Sequence, residues 1–147
     1  MMEGMISAPN LMTICVDSTA QGDYSGSIWN LYQKRPIPYA NTMDLLRKMD
    51  SFFNDLDFPQ NSTVGRSFRK DRGAVRQKKE EAVALMDERE LRKKKGEETT
   101  FIVHVKYRQN ATWQGEVIWA DKKEKKFFRS ALELLKLMDS AMEESEE

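Results

Sequence analysis

Sliding the chain along itself by 89 positions lays residues 11–53 on residues 100–142 without a gap. The identical pairs are Val16/Val105, Gly26/Gly115, Lys34/Lys123, Leu45/Leu134, Leu46/Leu135, Met49/Met138, Asp50/Asp139 and Ser51/Ser140. Eight identities in 43 positions exceed the roughly three that average residue usage produces. Conservative pairs extend the match, among them Ile14/Val103, Tyr24/Trp113, Met43/Leu132 and Asp44/Glu133. One hydrophobic pattern at one spacing specifies one packing, so the chain reads as an internal duplication.

Each copy carries the same local signals. Met12–Asp17 and Phe101–Tyr107 are rich in β-branched and aromatic residues and read as strands. Tyr24–Tyr32 and Trp113–Asp121 follow as second strands, each with glycine at its third position. A glycine there signals a bulge or a close backbone approach. Short third strands are expected at Ile37–Ala40 and Lys125–Arg129, the first confined to an edge by Pro36 and Pro38. Ser130-x-x-Glu133 is a capping box and Asn41-x-x-Asp44 its counterpart. Leu45, Leu46, Met49, Phe52, Phe53 and Leu56 then recur at helical spacing, as do Leu134, Leu135, Met138, Ala141 and Met142.

The expected class is α+β: internally duplicated ββ(β)α units forming one antiparallel sheet, with two helices on one face and a charged central linker helix. Residues 1–10 read as a flexible N-terminus and 11–58 as the first unit. Residues 59–99 form a charged linker with a helix over 74–95. Residues 100–142 are the second unit and 143–147 an acidic tail.

With helices on one face, alternation should make the other polar. It does not. Cys15, Trp29, Leu31, Ile102, Ile118 and Ala120 all fall on the outer side. Such a face is either covered by the central segment, which offers Val83, Leu85, Met86 and Leu91, or held by a partner. The residues expected to bind a partner are Trp29, Leu31, Ile102, His104, Trp113 and Ile118. The partner would be another protein or a second copy of the chain.

Charge supplies the alternative. The 24 basic and 24 acidic residues cancel, which disfavours a generic polyanion binder. The balance is nevertheless uneven, and residues 64–99 carry an excess of four positive charges. A nucleic-acid contact there would use Arg66, Phe68, Arg69, Lys70, Arg72, Arg76, Lys78, Lys79, Arg92, Lys93, Lys94 and Lys95. Interleaved acids such as Glu88 and Glu90 fit i,i+4 pairing on a solvated helix instead.

Catalytic chemistry finds little support. His104 is the sole histidine and Cys15 the sole cysteine, in equivalent places of the two copies. A Cys–His pair would need them adjacent, with an orienting group and a pocket. No cofactor motif, metal site or membrane segment is present, and a cytoplasmic location is expected. The chain therefore reads as a non-enzymatic binding protein, an adaptor, regulator or inhibitor acting through a protein surface. The alternatives are a nucleic-acid-binding module and a small-ligand sensor at the pseudo-twofold interface.

Overall fold

The computed structural model describes residues 10–19, 23–56, 84–108 and 112–145. Strands β1 (Met12–Ser18), β2 (Ser25–Asn30) and β3 (Ile37–Tyr39) precede helix α1 (Thr42–Leu56). A five-residue helix α2 (Glu88–Arg92) leads to β4 (Thr99–Tyr107), β5 (Gln114–Trp119), β6 (Glu124–Phe128) and helix α3 (Ala131–Ser145). All six strands form one antiparallel sheet in the order β3-β2-β1-β4-β5-β6. The proline-bearing β3 is an edge strand, as a strand lacking ladder donors must be.

The helices form where side chains can satisfy their first free amides. Asn41 Oδ1 accepts from Asp44 N at 2.8 Å, and Ser130 Oγ accepts from Glu133 N at 3.0 Å. Each carboxylate reaches back one residue before its cap, Asp44 to Ala40 N and Glu133 to Arg129 N. Both helices then lie on one face of the sheet. Leu45, Met49 and Phe53 from α1 and Leu134, Met138 and Ala141 from α3 share a core with Ile14, Val16, Phe101, Val103, Val105 and Val117.

The two glycines sit where the ladder slips. The β1–β2 register shifts between Val16 and Ser18, and the β4–β5 register between Val105 and Tyr107. Gly26 pairs with Val16 and Gly115 with Val105. A Cβ on Gly26 would stand 2.0 Å from the Cys15 carbonyl oxygen, and one on Gly115 would stand 2.0 Å from that of His104. The close approach read from the sequence is therefore the reason for glycine at both positions.

The expected helix over 74–95 is corrected in part. Residues 74–83 lie outside the described residues. Residues 84–87 are not helical, because the Leu85 and Met86 amides both donate to the Leu31 carbonyl, at 2.7 and 3.1 Å. Asp87 then caps α2, its side chain accepting from Glu90 N at 2.7 Å. The second strands are also shorter than read: β2 stops at Asn30, whose Oδ1 turns the chain by accepting from Tyr32 N.

Candidate binding face

The side of the sheet away from α1 and α3 is built from alternate residues of the same strands. Thr13 and Cys15 on β1, Trp29 on β2, Ile102 and His104 on β4, Glu116 and Ile118 on β5, and Lys125 and Phe127 on β6 share it, because their neighbours fill the helix-side core. This face divides into a covered half and an open half.

The covered half lies under the segment around α2. Met86 and Leu91 form an apolar cluster with Leu11, Leu31 and Ile102, packed against Trp29, Tyr32 and Ile118. The Thr13 hydroxyl donates to the Leu91 carbonyl at 2.8 Å, which anchors α2 over β1. Lys94 places its ammonium 4.2 Å above the Trp29 ring. Leu31 and Ile102 are only 6% exposed as a result. Between β1 and β4 the helix-free side carries the Leu91 segment, bonded through Thr13, and the helix side carries the core residues Ile14 and Phe101.

The open half is centred on β6. Phe127 is 65% exposed and lies across from Glu116. Lys106 Nζ pairs with Glu116 Oε1 at 2.9 Å, and Glu116 itself is buried. The ammonium groups of Lys106 and Lys125 each lie 5.7 Å from the Phe127 ring centroid. His104 is half-buried beside this group, with no hydrogen-bond partner for Nδ1 among the described residues. Burial lowers its pKa from the ordinary 6.5, Glu116 opposes that shift, and Lys106 adds to it.

The six residues expected to bind a partner therefore separate. Leu31 and Ile102 are buried, Trp29 carries Lys94, and His104 and Ile118 stand half-buried between the two halves. Trp113 lies on the other side of the sheet, edge-on to Phe53 of α1 with ring centroids 5.4 Å apart. Of the basic residues, Arg66 to Lys79 and Phe68 lie outside the described residues. Arg92 pairs with Glu88 at 3.8 Å, while Lys93 and Lys95 are exposed.

Phe127, Lys106 and Lys125 were not among the expected site residues. Strand parity carries the signal: Phe128 continues the core-facing set, so Phe127 must face outward. An outward phenylalanine between lysines on a terminal strand is unusual for a solvated edge.

Cys15 lies across from Thr100, so it stands four residues along β4 from His104, roughly 13 Å at the strand rise. Burial, reinforced by Asp17, pushes the Cys15 thiol up to about 11. Among the described residues no group of three or more His, Cys, Asp or Glu side chains is placed to hold a metal ion. None of their helices is long and apolar enough to cross a membrane. Depressions of about 240 Å³ beside α3 and about 310 Å³ beside α1 exist on the helix side, the second lined by Met43, Arg47, Asp50 and Trp113. Comparison of the chain with protein-family models, with curated proteins and with solved structures gives no match.

Proposed function

We propose that this chain is a non-enzymatic macromolecular-binding protein, an adaptor or regulator, whose contact surface is the open half of the helix-free sheet face. The observation that carries the reading is Phe127, an aromatic side chain 65% exposed on the terminal strand. Its burial against a partner would remove apolar area from water, at about 25 cal/mol per Å². Ile118 and His104 extend the surface toward the covered half. That half is already satisfied by Met86 and Leu91, so Leu31 and Ile102 contribute to folding on this reading.

We infer further that the scaffold arose by duplication of a ββ(β)α unit, with a pseudo-twofold axis between β1 and β4. Glycines, register shifts and helix caps recur at one offset of 89 residues, which supports this. The central segment breaks the symmetry by covering one half of the helix-free face. A crystal structure with Gly26 and Gly115 in different registers would sink the duplication.

The binding reading is tested by affinity capture on the full chain, with and without nuclease, comparing wild type with Phe127→Ala. The change should leave thermal melting unaltered, because the ring is mostly in solvent. It should remove captured partners in at least one arm. Capture that is indifferent to Phe127 in both arms would refute this surface.

A further inference from the structure

We infer that the macromolecule taken by this face is single-stranded nucleic acid, with a base stacked on Phe127 and the adjacent lysines on its phosphates. The inference rests on the reading of this face as the contact surface. It turns on what surrounds the ring. A protein hot spot seats an aromatic among apolar neighbours that exclude water, and lysine is depleted from interface centres. Phe127 instead has two ammonium groups 5.7 Å from its centroid, Lys106 from β4 on one side and Lys125 on its own strand. An exposed ring between cations is the arrangement that serves a base and its flanking phosphates.

One of the two cations is offset by a nearby carboxylate, and the other is not. Glu116 is buried and pairs with Lys106, which fixes that ammonium beside the ring and offsets its charge, so Lys125 is the cation there that would meet a phosphate. Asp121 accepts from the Thr99 hydroxyl and, at 3.2 Å, from Thr100 N. Glu124 faces the other side of the sheet, lining the depression beside α3 with Lys126. Lys122 and Lys123, exposed in the β5–β6 turn, prolong the positive edge past Lys125. Phenylalanine offers no hydrogen bond, so the stack would tolerate any base. A duplex hides its base faces, so an unpaired strand is the form that fits.

The test is fluorescence anisotropy with labelled single-stranded DNA and RNA 20-mers and a duplex of the same length, at low salt. Wild type should bind the single strands more tightly than the duplex. Phe127→Ala should weaken single-strand binding roughly 5- to 100-fold, and Phe127→Tyr should hold it within about twofold. The double change Lys122→Gln, Lys125→Gln should flatten the plot of log affinity against log salt by about 1.4, at about 0.7 per phosphate. All three variants should melt like wild type. Absence of single-strand binding, or binding indifferent to Phe127, overturns the inference. Phe127-dependent capture of a protein after nuclease treatment, with no oligonucleotide bound, would leave the surface standing and overturn its assignment to nucleic acid. Loss of both would overturn the surface as well.

Discussion

The Thr13 hydroxyl donates to the Leu91 carbonyl across 2.8 Å, and through that bond the central segment is tied to the helix-free face. Leu91 O also accepts from Lys94 N at 3.3 Å, so removing the hydroxyl does not strand the carbonyl. Thr13→Val keeps the shape and should cost about 1 kcal/mol, the worth of one such bond, in urea denaturation. Thr13→Ser keeps the bond but deletes a buried methyl, so it should cost about 1 kcal/mol too while leaving amide exchange in α2 close to wild type. Amide exchange in α2 should quicken in the valine variant; unchanged exchange there would show that apolar packing alone holds α2.

Gly26 and Gly115 should behave alike. An added Cβ meets a backbone oxygen at 2.0 Å in both places, and no side chain can yield to make room. Gly26→Ala and Gly115→Ala should each lower stability by about 3 kcal/mol, at the upper end of the cost of overpacking. A drop under about 1 kcal/mol in either would mean that the strands part more easily than this register allows.

His104 gives a pH dependence of stated sign. Its folded pKa lies below the ordinary 6.5, because burial disfavours the charged ring. The unfolded chain therefore takes up its proton first on acidification. Stability is full above about pH 6.5, falls as pH drops toward the folded value, and levels off below it. As the sole histidine, it can be followed by its own proton resonance. His104→Gln should flatten the slope of unfolding free energy in that window. A resonance titrating above 6.5 would contradict the burial argument.

Cys15 should be silent until the fold opens. Its side chain is buried in the sheet and its thiol is pushed up to about 11, so the reactive thiolate is scarce at pH 8. A thiol-specific disulfide reagent should modify unfolded protein quickly and native protein only at the rate of opening. Modification of native protein at the free-thiol rate would contradict the placement.

Much of the fold was legible because its determinants are local. Strand composition, the proline edge at β3 and the caps at Asn41 and Ser130 each act within a few residues. The offset of 89 added long-range information, since two glycines matched in sequence turned out to meet two matched carbonyl oxygens. The reading of the outer face as too apolar for solvent was also sound, for Leu31 and Ile102 are buried there.

The occupant of that face was decided only in three dimensions. Leu85 and Met86 belong to a charged stretch of helical composition, yet their amides are drawn to the Leu31 carbonyl more than fifty residues away, and residues 84–87 are not helical. Trp113 looked like an interface anchor by type, but it sits just ahead of β5 and packs edge-on against the Phe53 ring of α1. Phe127 lies in a strand expected from its sequence, but only the place of β6 at the end of the sheet, with the ring 65% exposed, marks it as a surface group. Sequence by itself determined the elements, because propensity, periodicity and capping are settled between near neighbours. Tertiary structure decided which apolar side chains stay in water, because that depends on which distant segment reaches a face first, and no local signal encodes the distance.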